Sequence, residues 1–219
     1  MPTVKLYGAA TSLCTSRVIA AIYEKEVTDW ELVPVSMAKG EHKSPEFLAM
    51  QPFGQVPALV YGDLTLFESR AIARAVANKF VDQGTPLYGS TPKDKALVEV
   101  WMEVEGQNYG PPVGNIIWEK VFKMRVNPAA KTDQAVVDAN VEKVKKVLDV
   151  YEAQLAKHKY LAGDFFSLAD LTNLPATYKL VHAAKLGDLV ESRPHVKAWF
   201  DDISSRPAWK KTLALAAAA

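Results

Sequence analysis

At 219 residues, with 49% hydrophobic and 23% charged side chains, the chain has ordinary globular composition and room for one large domain or two modest ones. Its formal net charge is +1, spread evenly: residues 1–80 carry 8 basic and 8 acidic side chains, and the rest carry 18 and 17. That balance argues against nucleic acid as a partner, and no apolar run reaches the length of a membrane span.

The N-terminal segment Met1-Pro2-Thr3-Val4-Lys5-Leu6-Tyr7 has no long apolar stretch of the signal-peptide kind and reads as a first strand. A single cysteine, Cys14, leaves no disulfide framework and no CxxC redox pair. Together these features predict a cytoplasmic protein.

In chain order, Val4 to Tyr7 is a strand, and Ser12 to Lys25 has helical spacing in Val18, Ile19, Ile22 and Tyr23. Trp30 to Val35 reads as a second strand and Pro45 to Met50 as a short helix. Ala58 to Tyr61 and Leu64 to Phe67, joined by Gly62-Asp63, form a hairpin, and a helix runs from about Glu68 to Phe80. The order β-α-β-α-β-β-α predicts a small α/β sandwich with a mixed sheet over residues 1–80.

Pro57 stands at the mouth of the third strand, where it has no N–H for a ladder. A bland reading is a strand start; a sharper one is a kink that leaves the backbone of Val56 unpaired for a ligand. Residues 81–92, rich in Gly, Pro, Asp, Ser and Thr, read as a linker.

Beyond the linker the strand signals stop, and residues 93–219 are expected to be all-helical. Val137, Val141, Val144, Leu148, Tyr151 and Leu155 recur at steps of four and three, and further helices fit 93–123, 167–184 and 194–204, with a short one near the C-terminus. Ser167 and Asp170, flanked by Phe166 and Leu171, have the spacing of a capping box.

Five stretches taken in order, Ser12, Glu41-His42-Lys43-Ser44-Pro45, Pro52-Phe53-Gly54-Gln55-Val56-Pro57-Ala58, Leu66-Phe67-Glu68-Ser69-Arg70-Ala71-Ile72 and Tyr160-Leu161-Ala162-Gly163-Asp164, resemble the cytosolic glutathione transferases. The spellings EHKSP, PFGQVPAL, LFESRAI and DVYEAQL are most similar to the plant phi class. The resemblance covers essentially the whole chain. It implies a thioredoxin-like glutathione-binding domain over 1–80 with a cis proline at Pro57, and a helical domain over 93–219 that contributes the electrophile pocket.

The resemblance further implies conjugation of the glutathione thiolate to hydrophobic electrophiles, in detoxification, with glutathione-dependent peroxide reduction as a side activity. Glutathione is then a co-substrate; no tightly bound cofactor and no metal is expected. The implied glutathione contacts are Ser12, His42, Lys43, Gln55, Val56, Pro57, Glu68 and Ser69. His42 and Lys43 offer donors for the glycyl carboxylate, and the helix start at Glu68-Ser69 suits the γ-glutamyl group. Taken singly, each has a plain alternative as a cap or a solvated loop residue.

Ser12 is implied as the catalytic serine, donating its hydroxyl to the thiolate rather than acting as nucleophile. It also fits a simple N-cap. Cys14, two residues further on, reads as an apolar filler, and Arg17 as a source of positive potential or a salt-bridge partner. For the electrophile pocket the candidates are Leu13, Met37, Trp118, Phe122 and Tyr178, the pair Trp118 and Phe122 being four apart on one helix face. Tyr7 reads as a structural strand residue. Phe53 and the helix from Glu68 resemble the family's dimer contact, which implies a homodimer. A non-catalytic carrier of apolar molecules is the alternative function. A transferase-like interaction module is a third, and it is expected to have further domains after the helical one.

Overall fold

Val4–Gly8 alternates buried and half-buried side chains, the period of a strand with two unlike faces, and forms β1. The computed structural model describes residues 3–218. These divide into two compact units, one of residues up to Pro86 together with those from Pro207 on, the other spanning Leu87–Arg206.

The first unit follows the order β1, α1 (Leu13–Glu24), β2 (Trp30–Pro34), a 3₁₀ turn (Glu41–Lys43), α2 (Pro45–Met50), β3 (Ala58–Tyr61), β4 (Leu64–Phe67) and α3 (Ser69–Lys79). Its sheet has the order β2-β1-β3-β4, parallel between β1 and β2 and antiparallel elsewhere. This is the βαβαββα order that the strand and helix signals predict, and the thioredoxin-like arrangement that the resemblance implies. The register sets Tyr7 beside Ala58 and Ala58 beside Phe67, while Gly8 faces Pro34. The ends of all four strands nearest residues 8, 34, 58 and 67 therefore lie along one edge of the sheet.

Alternation sends Leu6 and Tyr7 to opposite faces. Tyr7 packs with Val35, Phe47 of α2 and Ala58, so its role is structural, as its place in the strand suggests. On the other face Val4, Leu59 and Leu66 meet Val76 of α3 around an apolar cavity of about 60 Å³. Helix α1 is buried along most of its length, from Thr15 to Ile22, because it packs against both α3 and α12 (Pro207–Ala217).

The loss of strand signals after the linker predicts one helical domain over residues 93–219. Helix α12 groups instead with the first unit, with Ala208, Trp209 and Thr212 buried. Its helical periodicity shows that it has an apolar face, but not which neighbour covers that face.

The glycine- and proline-rich stretch after α3 is tied to the end of α1. Lys25 is fully buried and donates from Nζ to Thr85 O at 2.9 Å, Gln83 Nε2 donates to Lys25 O at 2.8 Å, and Thr85 Oγ1 donates to Glu24 at 2.6 Å. Burial lowers the pKa of Lys25, and the carboxylates of Asp82, Glu24 and Glu26 act against that shift.

The second unit is all-helical: α4 (Pro92–Val104), α5 (Gly110–Ile117), α6 (Lys123–Val126), α7 (Gln134–Leu155), α8 (Leu168–Leu171), α9 (Leu174–His182), α10 (Asp188–Glu191) and α11 (Pro194–Ser205). The helix expected over 93–123 runs on to residue 126 and is interrupted by two π turns, Glu105–Tyr109 and Trp118–Phe122. Pro111 and Pro112 supply a reason for the first. They have no N–H for the carbonyls four residues back, and the helix widens so that Gly110 N–H bonds Glu105 O.

On α7 the buried stripe is Val137, Asn140, Val144, Leu148, Tyr151 and Leu155, with Asn140 where the apolar pattern pointed to Val141. Asn140 is tolerated inside because Nδ2 donates to Val136 O at 2.8 Å and Oδ1 accepts from Asn115 at 3.3 Å. Tyr151 lies at the centre of the unit, with the rings of Trp101, Tyr109 and Trp199 around it.

The capping box expected at Ser167 and Asp170 is formed. The fully buried Asp170 carboxylate accepts from Ser167 N and Oγ, from Leu161 N at 3.0 Å and from Trp199 Nε1 at 2.9 Å. One side chain thus joins the 161 loop, α8 and α11. Asp170→Ala leaves three N–H donors without an acceptor and should lower the unfolding free energy in urea by about 3 kcal/mol.

Burial pushes the Asp170 carboxyl up to about 6, against those donors. With the folded value above the unfolded one, the folded protein takes up this proton first, so the group's burial cost is relieved as pH falls through 6 toward 4. Relative to Asp170→Asn, the wild type should gain on the order of 2 kcal/mol over that window. A difference between the two proteins that is flat with pH contradicts this.

Candidate active site

Three segments of the first unit leave the sheet at the edge defined above. The turn after β1 carries Ser12, the approach to β3 carries Val56-Pro57, and the step from β4 into α3 carries Glu68-Ser69. The 3₁₀ turn with His42 and Lys43 belongs to the connection that follows β2 at the same edge.

Ser12 is the N-cap of α1, so the capping role that its position suggests is real. The cap bond is long, however, with Thr15 N at 3.5 Å from Ser12 Oγ. Oγ accepts in that bond, and its own hydrogen remains available. The backbone is held more firmly: Ser12 N–H donates to Ala9 O at 2.9 Å, and Ser12 O accepts from Ser16 N at 2.9 Å. Gly8 permits the close approach of β1 to this turn, since a Cβ there would lie 2.6 Å from Thr15 Oγ1. Leu13 and Cys14 are half-buried on the first turn of α1.

Lys43 reaches across to the loop before β3 and donates from Nζ to Phe53 O at 3.0 Å. Gly54 makes room for it: φ is +59°, and a Cβ would stand 2.6 Å from Lys43 Nζ and 2.9 Å from His42 O. Gln51, buried at the end of α2, accepts from Gln55 N–H at 3.1 Å, which fixes the same loop from its other side. His42 Nδ1 is buried without a hydrogen-bond partner among the described residues.

The Val56-Pro57 peptide is cis, and the ladder begins at Ala58. Among the described residues, the N–H and C=O of Val56 have no hydrogen-bond partner. The kink and unpaired backbone of the sharper reading of Pro57 are therefore present.

Glu68 and Ser69 begin α3. Glu68 is exposed and has φ 68° and ψ 104°, a conformation side chains with a Cβ avoid. Ser69 is buried and accepts at Oγ from Arg17 Nη1 at 2.7 Å. That contact is absent from the sequence reading, which offered Arg17 only as a diffuse positive charge or an ion-pair partner. The available signal is an arginine immediately before the apolar run from Val18 to Ile22 on one helix. With Arg17 donating to it, the Ser69 hydroxyl must direct its hydrogen to some other acceptor.

The remaining pocket candidates separate by unit. Leu13 and Met37 belong to the first, Met37 being 45% exposed in the turn after β2. Trp118, Phe122 and Tyr178 belong to the second. Trp118 and Phe122 span a π turn rather than regular helix, and Tyr178 stacks near His182 at a centroid distance of 4.2 Å.

Known proteins resemble the chain over both units. The profile of the glutathione S-transferase N-terminal domain matches residues 2–78, and that of the C-terminal domain matches 113–207. A glutathione S-transferase of Hyoscyamus muticus is 48% identical over 210 residues, 96% of this chain and 97% of that one. Glutathione transferase F7 from Populus trichocarpa is 51% identical, with a TM-score of 0.92 over 97% of this chain and 99% of that one. A glutathione S-transferase I from maize, solved with an atrazine glutathione conjugate, is 44% identical, with a TM-score of 0.88 over 98% of each chain.

The chain belongs to the glutathione S-transferase family, among its plant, phi-like members. It is an enzyme of that family's type, a transferase that conjugates glutathione to electrophiles.

The conformation of Glu68 yields a direct test. Glu68→Gly relieves the positive-φ strain and should raise the unfolding free energy by about 1 kcal/mol; no change would mean that the backbone there is unstrained.

Proposed function

We propose that the cradle at the sheet edge binds glutathione and activates its thiol through Ser12, for attack on hydrophobic electrophiles. The observation that carries this reading is the placement at one edge of three complementary features: a half-buried hydroxyl with a free hydrogen, the unpaired backbone of Val56, and the start of α3 fronted by Ser69. The backbone of Val56 pairs with the cysteinyl backbone of the tripeptide, beside Pro57. Ser69 and the first turn of α3 receive the γ-glutamyl carboxylate at the positive end of the helix, and Glu68 faces the ammonium. His42, Lys43 and Gln55 serve the glycyl end, where Lys43 has hydrogens to spare after its bond to Phe53 O.

A free thiol titrates near 8.5, so only a small part is thiolate at neutral pH. One hydrogen bond to a charged acceptor contributes roughly 1.5–3 kcal/mol, and each unit of pKa requires about 1.4 kcal/mol. Ser12 can therefore lower the bound thiol by one or two units. The maize relative was solved with an atrazine glutathione conjugate, which supports a hydrophobic electrophile and a detoxification role here. In the second unit, Trp118, Phe122 and Tyr178 supply apolar contacts for it. Peroxide reduction is a side activity of the same thiolate.

We further propose a homodimer. Phe53 is 64% exposed and its ring meets that of the exposed Phe67 edge-on at 6.1 Å. A monomeric mass by sedimentation at micromolar protein would overturn this.

The deciding assay is conjugation of glutathione to 1-chloro-2,4-dinitrobenzene. Ser12→Ala should lose about ten-fold or more of kcat while its glutathione KM changes little. Equal activity would remove Ser12 from the chemistry. Arg17→Met should act differently, raising the glutathione KM about ten-fold because Ser69 is no longer held. An unchanged KM in that variant would deny Arg17 its positioning role.

A further inference from the structure

The second unit holds two cations over one aromatic ring. Lys179 Nζ lies 5.6 Å from the centroid of Phe122, and the Arg125 guanidinium lies 5.8 Å from the same centroid. Among the described residues, neither side chain makes an ion pair or a hydrogen bond. Lys123, two residues before Arg125, is satisfied by Glu119 at 2.7 Å; that carboxylate also accepts from Asp133 N–H at 2.8 Å.

Lys179 is half-buried on α9. Burial lowers its pKa and Arg125 lowers it further, with no acid opposing them. A lysine whose stem merely covers a ring places its ammonium in water, away from other cations. Here the ammonium is partly desolvated and faces like charge, which is costly without a counterion. The ring face offsets part of that cost. His182, one turn further on α9, adds no negative charge.

We propose that Lys179 and Arg125 form an anion subsite against Phe122, taking the carboxylate or sulfonate of an apolar aromatic ligand whose ring system lies among Phe122, Tyr178 and Trp118. The proposal rests on the reading of those three side chains as pocket residues for the second substrate. It adds to that substrate class a preference for hydrophobic electrophiles that also carry one anionic group, while neutral ones are still accepted. The ligand's anion supplies the counterion that the protein lacks, and its ring supplies the apolar burial.

The test compares two fluorescent probes with the same aromatic skeleton, 1-anilinonaphthalene-8-sulfonate and the neutral N-phenyl-1-naphthylamine, titrated into the full-length protein. In Lys179→Met, which keeps the stem's packing on Phe122, the sulfonate should bind about ten-fold more weakly while the neutral probe binds equally well or better. Arg125→Gln, at an exposed position, should show the same selective loss at smaller amplitude. Equal effects on both probes, or none on either, would overturn the subsite. Conjugation of the neutral chlorodinitrobenzene is measured alongside. Ser12-dependent turnover without probe discrimination rejects the anion subsite alone; probe discrimination without Ser12-dependent turnover supports the subsite and rejects the catalytic reading.

Discussion

The pairing of Tyr7 with Ala58 and of Ala58 with Phe67 is the constraint on which the candidate active site depends. A slip of one residue would turn the side chains of the shifted strand to the opposite face, exchanging residues such as Leu6 and Tyr7 between α3 and α2. It would also move Val56 and Glu68 along the edge relative to Ser12. The register is well specified because both faces of the sheet are covered, one by Phe47 and its neighbours and the other by α3. The candidate binding groups from three distant parts of the chain are thus placed by hydrophobic packing, and loop chemistry sets only their final orientation.

That orientation relies on groups bonded once and left with capacity to spare. Ser12 accepts from Thr15 while its hydrogen stays available, Ser69 accepts from Arg17, and Lys43 donates one of its hydrogens to Phe53 O. Each bond limits the side chain's rotamers before any ligand arrives, which reduces the ordering cost of binding. The strained backbone of Glu68 fits the same pattern, since strain of this kind tends to persist where surrounding structure enforces it.

Much of this was legible in the sequence because the signals are local. The short apolar strands of the hairpin, the Gly62-Asp63 turn between them and the Ser167–Asp170 cap depend on neighbours within a few residues, and all appear in the structure. The features that were not legible depend on distant or compensating contacts. Arg17 meets Ser69 across 52 positions of sequence, and α12 finds its partner in α1 at the other end of the chain. The π turns follow from how the helix accommodates missing N–H groups, which apolar periodicity does not encode. Asn140 took a core position because Asn115 and Val136 satisfy its amide, a pairing no hydropathy pattern reveals.

The central claim is that Ser12 stabilises the thiolate of bound glutathione, and the most direct test is to titrate that thiol on the enzyme. Thiolate absorbance near 240 nm, followed against pH at saturating protein, gives the pKa of the bound thiol in wild type and in Ser12→Ala. A value one to two units below about 8.5 in the wild type, returning toward it in the variant, is the predicted result. Indistinguishable titrations, with both proteins still binding glutathione, would contradict the account.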